Sequence, residues 1–238
     1  MFDYSGRVAI VTGVSGNLGA AVATAFQQAG ANLVLVDRAP DRLQRLFPTL
    51  SNSPDHYLAT SIDLTDTEAV DAMVEATISR FGRIDVLANA VGGYRAGKPV
   101  HETLWQDWEF LLTLNAKTAF LTSKAVVPHM LDQGSGKIVH VSARAALRGG
   151  ARSVAYSASK CAVVRLVESL AAELRHDNIN VNCVLPGTID TPQNRQAMPK
   201  ADHARWVPPE AIADVMLFLA SDAAWAVNGA AVPVYGRS

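Results

Sequence analysis

Residues 8–26 read VAIVTGVSGNLGAAVATAF. The β-branched run Val8–Val11 leads directly into a glycine-containing turn at residues 12–19, and an alanine-rich helical segment follows. Glycines at such a turn let the backbone approach a ligand closely, and the helix N-terminus offers unpaired N–H groups and a positive dipole end. The stretch therefore predicts a strand, a phosphate-binding turn and a helix. A tight turn that serves only helix–strand packing is the alternative.

Short apolar runs alternate with helical segments along the rest of the chain. The clearest helical period lies at 66–81. Continuously apolar runs are typical of strands that are buried on both faces of a parallel sheet. Repeated strand–helix–strand units thus predict an α/β fold, with helices on both faces of a parallel sheet, as a single domain over residues 1–238. The further apolar runs are Leu33–Val36, Tyr57–Ala59, Val86–Ala88, Ile138–Val141, Asn180–Leu185 and Ala231–Val234.

The composition is that of a globular protein, with 49% hydrophobic and 18% charged residues among 238. A net charge of −1 gives no electrostatic argument for binding nucleic acid or an anionic membrane. The sequence shows neither a signal-peptide pattern nor an apolar stretch of membrane-spanning length, so we expect a cytoplasmic protein. The two cysteines predict no disulfide framework, and the six histidines lack ligand spacing, so we expect no metal site.

An acidic residue, Asp37, follows the second strand, 18 residues after Gly19. A carboxylate at this point can accept hydrogen bonds from the hydroxyls of an adenosine ribose and repels a 2′-phosphate, which favours NAD. Arg38 argues the other way, because a guanidinium can pair with that phosphate, so NADP stays possible. A solvated Asp–Arg pair in a loop is the third interpretation.

Two later strand ends carry polar or small residues that suit the same crevice. Asp63-Leu64 follows the third strand, where the carboxylate could meet an adenine amino group. Asn89-Ala90 follows the fourth strand and leads into Gly92-Gly93, where a backbone can approach a ligand closely. Ligands of open α/β sheets bind at the carboxyl ends of the strands, so these motifs support one another. Each alone is also compatible with an ordinary polar loop.

Tyr156 and Lys160 open a long helical segment that runs to about Arg175. Residues four apart share a helix face, so the phenol and the ammonium can point the same way. A free tyrosine has a pKa of about 10, and a nearby cation lowers that pKa toward the range useful for acid–base catalysis. The pair therefore predicts a proton-transfer site in which Lys160 depresses the pKa of Tyr156. A surface pair of no chemical consequence is the alternative.

These motifs, in this order and spacing, resemble those of the short-chain dehydrogenase/reductase family over essentially the full chain. The resemblance implies a Rossmann-type sheet of seven parallel strands in the order 3-2-1-4-5-6-7, and commonly a homotetramer or homodimer. The motifs that carry it are Thr12-Gly13, Asp37, Asp63, Asn89-Ala90, Asn115, Ser142, Tyr156, Lys160, Pro186-Gly187 and Thr191.

The resemblance also implies an activity, the transfer of a hydride between NAD(H) and a carbonyl or secondary alcohol. Tyr156 would exchange the proton with the substrate oxygen, Lys160 would hold the nicotinamide ribose, and Asn115 would hold a water in a proton relay. The residues from Pro186 to Thr191 would orient the nicotinamide. The residues expected at the cofactor are Gly13, Ser15, Asn17, Leu18, Gly19, Asp37, Arg38, Asp63, Leu64, Asn89, Ala90, Tyr156, Lys160, Pro186, Gly187, Ile189 and Thr191.

The chain departs from the family pattern at the glycine turn. Asn17 occupies the place of the usual middle glycine, and Gly16 lies one position earlier. This spacing resembles the extended branch of the family, which includes epimerases and dehydratases. Chain length and the other motifs argue against that branch, and asparagine tolerates unusual backbone angles better than most residues.

A second departure concerns the hydroxyl that holds the substrate oxygen in the family, usually 13 residues before the tyrosine. Ala143 stands there in this chain. We expect Ser142 to take its place if the loop is one residue longer; otherwise the strand pleat turns Ser142 to the opposite face. Ser153 is a further candidate donor. The gap also motivates a rival function, a nucleotide-binding redox sensor with weak or no turnover.

We expect the substrate to lie against a loop at about 192–207 and against residues 93–103. Tyr94, Leu147, Met198 and Trp206 could form an apolar wall. Five arginines could meet an anionic group on the substrate, or could simply be solvated loop charges: Arg95, Arg144, Arg148, Arg152 and Arg195. The identity of the small-molecule substrate does not follow from the sequence.

Overall fold

The computed structural model describes residues 2–51 and 53–237. Seven strands form one sheet in the order β3-β2-β1-β4-β5-β6-β7, and all neighbouring strands are parallel. The predicted fold class and strand order are therefore confirmed. The strands are β1 (Val8–Thr12), β2 (Asn32–Val36), β3 (His56–Ala59), β4 (Val86–Asn89), β5 (Gly136–Val141), β6 (Ile179–Pro186) and β7 (Ala231–Val234).

Among the described residues, eight α-helices connect the strands, and a π-helical segment, Leu112–Lys117, joins the fourth helix to the fifth. Short 3₁₀ turns occupy Val100–Glu102, Arg144–Ala146, His203–Arg205 and Asp222–Ala224. Within the described residues, no helix combines the length and apolar character needed to cross a membrane. The helices are α1 (Asn17–Gln28), α2 (Arg42–Leu46), α3 (Thr67–Phe81), α4 (Trp105–Leu111), α5 (Thr118–Gln133), α6 (Val154–Leu174), α7 (Pro192–Ala197) and α8 (Pro209–Leu219).

The predicted runs lie inside the observed strands, with differences at the ends. The fifth strand begins at Gly136, two residues before the apolar run, because Lys137 is also paired with β6. The Lys137 ammonium is buried and donates to the side-chain oxygen of Asn180, which offsets the cost of enclosing a cation. The strand is therefore longer than its apolar run, because a polar residue at its start also pairs with β6.

The helix predicted at 66–81 shows clear stop and start signals. The Asp66 side chain accepts from the Glu68 N–H at the N-cap, and Gly82 ends the helix with a φ of 71°, in the left-handed region. Its apolar side faces the sheet through Val70, Met73 and Val74. Local capping and burial therefore agree with the periodicity.

Each face of the sheet packs against its own set of helices. Ala9 and Val11 of β1 belong to a core shared with α1 and α8, whereas Val8 and Ile10 belong to a core shared with α3, α5 and α6. Successive strand residues point to opposite faces, so one short strand supplies both cores. This double burial explains why the strands read as continuous apolar runs.

The strand order determines where a ligand can bind. From β1 the chain crosses to β2 on one side, while β4 lies against the other side of β1. A crevice opens at the carboxyl ends of the strands where the order reverses in this way. The turns after β1, β4, β5 and β6 consequently face one region.

The N-terminal segment is fixed to the last turn of α8 by a buried hydrogen bond. The Tyr4 hydroxyl donates to the carbonyl of Leu217 at 2.6 Å. The last carbonyls of a helix have no partner within that helix, so this side chain satisfies an otherwise open acceptor.

We expect the Tyr4→Phe substitution to lower the free energy of unfolding by about 1–3 kcal/mol, because it leaves the Leu217 carbonyl buried without a donor. Urea unfolding followed by circular dichroism measures the change. Tyr57→Phe is the matched control, since the hydroxyl of this partly buried residue makes no hydrogen bond with the described residues. Equal midpoints for the two variants would contradict the role of Tyr4.

Candidate active site

The turn after β1 brings three backbone segments into close contact. Gly13 has a φ of 69°, and a Cβ on it would lie 2.9 Å from the amide nitrogen of Val91, beyond β4. A Cβ on Gly19 would lie only 2.1 Å from the Gly13 carbonyl oxygen. Side chains cannot be accommodated at either position, so these two glycines allow α1 to pack against the turn, and the turn against the loop that follows β4 (residues 90–93, the β4 loop).

Asn17 is the first residue of α1, and it has no positive φ. The position that is usually glycine therefore makes no demand for left-handed backbone here, which explains how asparagine is accommodated. Its side-chain amide donates to the Gln193 side chain on α7 at 2.8 Å. Asn17 consequently links the glycine turn to the segment at 192–207.

The N-terminus of α1 is suited to an anion. Gly16 at the N-cap supplies no side chain, and the first turn contains no acidic residue. Leu18 is buried and Ser15 is partly exposed at the turn. Free N–H groups at the positive end of a helix dipole are the usual partners of a dinucleotide pyrophosphate, so this turn fits such a group.

Asp37 lies buried at the end of β2, and its carboxylate accepts from the Ala39 N–H at 2.8 Å. Arg38 is exposed. A second guanidinium, not identified from the sequence, also reaches this region: Arg42 on α2 donates to the Ser15 carbonyl at 3.2 Å. The Asp37 carboxylate and the Arg42 guanidinium therefore lie near the glycine turn, and Arg38 is next to Asp37 in the chain.

Asp63 and Leu64 follow β3, where Leu64 is buried. The Asp63 carboxylate accepts from the N–H and the hydroxyl of Thr65 at 2.9 and 2.8 Å, and these bonds lower its pKa. One of its oxygens is thus engaged in the local turn. A contact from Asp63 to an adenine amino group stays a prediction.

The Asn89 side chain is engaged within the protein. Its oxygen accepts from the Thr12 hydroxyl and its amide lies 3.2 Å from the Nδ1 of His140, whose Nε2 lies 2.9 Å from the Ser123 hydroxyl. Burial lowers the pKa of His140 to about 3, so the imidazole is neutral. The Asn89 side chain therefore joins β1, β4 and β5, which leaves only its backbone and that of Ala90 to face the crevice.

Tyr156 and Lys160 lie one turn apart at the start of α6. The Lys160 ammonium is buried and donates to the Val141 carbonyl at the end of β5, at 2.9 Å. Burial lowers the pKa of Lys160 to about 8. The helix therefore presents both groups beside the tips of β4 and β5, as the sequence pattern predicts.

The expected effect of Lys160 on the acidity of Tyr156 is wrong for this structure. Burial, with a smaller contribution from the neighbouring Tyr94, raises the pKa of Tyr156 to about 12. The Lys160 ammonium bonds the Val141 carbonyl, so the loss of solvent around the phenol outweighs any attraction by the cation.

Asn115 lies in the π-helical segment and is buried. Its side-chain oxygen accepts from the Gly93 N–H at 2.9 Å, and its amide donates to the Gly93 carbonyl at 3.1 Å and to the Ser159 hydroxyl at 2.9 Å. Asn115 therefore connects the β4 loop to α6. Single π-helical turns often mark functional sites. Its expected role in a water relay stays a prediction.

The geometry does not support the expectation that Ser142 binds the substrate oxygen. Ser142 is buried, and its hydroxyl donates to the Lys160 carbonyl at 2.7 Å. No extra loop residue rotates it, because β5 continues regularly to Val141 and the Ser142 N–H still bonds the Val184 carbonyl of β6. Ser153 is also engaged, donating to the Gly150 carbonyl at 2.9 Å.

The chain after β6 turns at Gly187, whose N–H donates to the Val234 carbonyl at 3.1 Å. Ile189 then forms a parallel bridge with Val207, which closes the segment at 192–207 at its base. The Thr191 hydroxyl caps α7 by accepting from the Asn194 N–H at 3.2 Å. The segment at 192–207 is thus an ordered loop that contains α7 and follows Pro186 and Gly187 in the chain.

The residues expected at the substrate fall into three groups. Tyr94, Leu147 and Met198 are exposed, as a wall requires, whereas Trp206 is buried against His203. Three arginines are engaged: Arg95 with Asp107, Arg195 with Asp190, and Arg144 over the Tyr235 ring. Arg148 and Arg152 are exposed and pair with no other side chain in the described part of the chain.

Comparison with known proteins agrees with this arrangement. The family described as short chain dehydrogenase matches residues 7–202. The chain belongs to the short-chain dehydrogenase family. The (2S)-[(R)-hydroxy(phenyl)methyl]succinyl-CoA dehydrogenase subunit BbsD of Thauera aromatica is 36% identical over 97% of this chain and 95% of its own. The D-threitol dehydrogenase of Mycolicibacterium smegmatis is 35% identical over 99% and 94%. The solved structure of gox2181 superposes with a TM-score of 0.91 at 31% identity, covering 98% and 96%.

Family membership establishes the general activity. The protein is an oxidoreductase that transfers a hydride between a nicotinamide cofactor and an alcohol or carbonyl compound. This result favours the enzyme over the redox sensor that the gap at Ala143 suggested.

We expect the Gly19→Ala substitution to lower the free energy of unfolding by about 1–3 kcal/mol and to weaken NADH binding, because the new methyl group collides with the Gly13 carbonyl. Chemical denaturation and fluorescence titration with NADH measure the two effects. Gly149→Ala is the control: its Cβ meets no atom within 4 Å, so both quantities should stay near their wild-type values. A Gly19→Ala variant that keeps its NADH affinity and its stability would show that the turn is not tightly packed.

Proposed function

We propose that this enzyme interconverts a secondary alcohol and its carbonyl compound, with Tyr156 as the proton donor and acceptor. The observation that carries the proposal is the convergence at Gly92. A Cβ on this residue would lie 2.9 Å from both the Asn115 side-chain oxygen and the Lys160 ammonium. The β4 loop, the π-helical segment and α6 therefore meet at one point, one helical turn from Tyr156.

When bound, the nicotinamide supplies or accepts the hydride. The chain itself handles the proton and the positioning. In reduction, the Tyr156 hydroxyl gives its proton to the substrate oxygen; in oxidation, the phenolate takes that proton back. Asn115 fixes the β4 loop through Gly93, and we assign to it a water that returns the proton to Tyr156.

Lys160 acts as a fixed donor beside Tyr156. Its ammonium already donates to the Val141 carbonyl, which sets its direction, and it retains further hydrogens for a ribose hydroxyl. In this role Lys160 orients the nicotinamide ribose. The backbone of Pro186, Gly187 and Ile189 would hold the other end of that group, with Thr191 fixing the start of α7.

We propose NAD as the preferred cofactor, with NADP as the alternative. The buried Asp37 carboxylate supports NAD, because a charge fixed at the ribose would repel a 2′-phosphate. Arg38 and Arg42 support the alternative, since either guanidinium could pair with that phosphate. The remaining residues at the cofactor would be Gly13, Ser15, Asn17, Leu18, Gly19, Asp63, Leu64, Asn89 and Ala90.

The substrate pocket would lie between the β4 loop and residues 192–207. Arg148 and Arg152 support a substrate with an anionic group, because their charges are not used within the described chain. Two free cysteines, Cys161 and Cys183, are consistent with a reducing cytoplasm. Exposed aromatic side chains at Trp105 and Phe120 support a homo-oligomer.

We expect the Tyr156→Phe substitution to abolish turnover and to leave NADH affinity within about twofold, because only the exchangeable proton is lost. The assay follows NADH absorbance with ethyl acetoacetate, 2,3-butanedione and their alcohols. In the wild type, the raised pKa of Tyr156 keeps the phenol protonated at neutral pH. Alcohol oxidation, which needs the phenolate, should therefore become faster as pH rises from 7 to 10.

Carbonyl reduction needs the protonated phenol, so Tyr156 should not slow it over the same pH range. The Tyr57→Phe variant controls for the loss of a hydroxyl elsewhere and should match the wild type. Residual turnover in Tyr156→Phe above a tenth of the wild-type rate would exclude this residue as the main proton carrier.

We expect the Asp37→Ser substitution to raise kcat/KM for NADPH relative to NADH by about tenfold or more, since it removes the repelling charge. Serine can still accept from the Ala39 N–H, so the loop should keep its shape. Asp41→Ser removes a neighbouring exposed carboxylate and should leave the ratio unchanged. An unchanged ratio in both variants would mean that Asp37 does not select the cofactor.

A further inference from the structure

The site lacks the hydroxyl that commonly accompanies the tyrosine. The Ala143 side chain offers no donor, and the Ser142 and Ser153 hydroxyls are both engaged with backbone carbonyls. A carbonyl oxygen that gains negative charge during reduction is better stabilised by two hydrogen bonds than by one. A second donor should therefore come from another part of the pocket.

The β4 loop is held firmly at Gly93, the residue before Tyr94. Both backbone groups of Gly93 are bonded to the Asn115 side chain, at 2.9 and 3.1 Å. A Cβ on Gly93 would lie 2.6 Å from the Leu114 side chain, so the loop also lies tightly on the π-helical segment. Tyr94 therefore extends from an anchored point.

The Tyr94 ring packs edge-on against the Tyr156 ring, with centroids 4.8 Å apart and an interplanar angle of 81°. Tyr94 is nevertheless 69% exposed. Its hydroxyl makes no hydrogen bond with the described residues, so its donor is free for a ligand. An exposed phenol with an unused donor thus stands beside the proposed proton carrier.

We infer that the Tyr94 hydroxyl donates the second hydrogen bond to the substrate oxygen, replacing the hydroxyl that is missing at Ala143. The inference rests on the proposed function. In reduction, the carbonyl carbon receives the hydride and the oxygen receives the proton of Tyr156, while Tyr94 keeps its own proton. Tyr94 stabilises the charge that develops on the oxygen and takes no part in the transfer.

The decisive variant is Tyr94→Phe, which keeps the edge-on ring and removes only the donor. With ethyl acetoacetate and 2,3-butanedione, kcat should fall by about 10²-fold, the loss seen when one oxyanion donor is removed, while KM changes little. NADH affinity, measured by fluorescence titration, should stay at its wild-type value. Tyr57→Phe is the control for an unrelated tyrosine hydroxyl.

A rescue experiment separates hydrogen bonding from packing. The Ala143→Ser substitution should recover at least a tenth of the lost kcat in the Tyr94→Phe background, because a serine at that position can supply the donor. The same substitution should change kcat by less than about threefold when Tyr94 is present, since the second bond is then already made.

Several results would overturn the inference. If kcat of Tyr94→Phe stays within twofold of the wild type, or if only KM rises, then Tyr94 is merely an aromatic wall. If Ala143→Ser fails to rescue a slow Tyr94→Phe variant, the loss does not come from a missing donor. If the wild type reduces none of the probes while it binds NADH, the proposed function itself fails, and the role of Tyr94 fails with it.

Discussion

Two reciprocal hydrogen bonds tie helix α6 to the end of strand β5. The Lys160 ammonium donates to the Val141 carbonyl, and the Ser142 hydroxyl donates to the Lys160 carbonyl. A buried ammonium must be hydrogen-bonded, because a cation enclosed without partners costs several kcal/mol. The pair therefore fixes both the depth and the rotation of the helix, and the position of Tyr156 follows from that. Ser142 serves the site by positioning the helix rather than by touching the substrate.

A second set of contacts brings the β4 loop to the same point. Asn115 can bond both backbone groups of Gly93 and also reach Ser159 because a wider helical turn surrounds it. Glycine at 92 leaves room for this approach, since any side chain would collide with Asn115 and Lys160. The site is thus assembled mainly from fixed polar contacts between elements, and the residues that face the pocket depend on them.

The features of the protein that depend on local pattern could be predicted from its sequence. The strands and the placement of Tyr156 and Lys160 on one helix turn follow from periodicity and spacing, whereas the order of the strands came from the family resemblance. The direction in which a short side chain points could not be predicted from the sequence. Ser142 and Asn89 are both turned into the protein by partners far away in sequence.

The same limit applies to acidity and to long side chains. The pKa of Tyr156 depends on how deeply the phenol is buried and on which acceptor Lys160 chooses, and neither can be read from a spacing of four. Arg42 reaches the glycine turn across 27 positions of sequence without any motif to mark it.

His140 interrupts an apolar strand, and in the sequence this interruption is the sign of the hydrogen-bond network around it. Its contacts favour one tautomer: the Asn89 amide donates to Nδ1 and the Ser123 hydroxyl donates to the Ala119 carbonyl, which leaves Nε2 to carry the ring proton. Every hydrogen bond in this network therefore has its donor on the side of Thr12 in β1 and its acceptor on the side of α5. An aspartate at position 89 would present an acceptor to an acceptor, and the imidazole would have to exchange its tautomer to meet it.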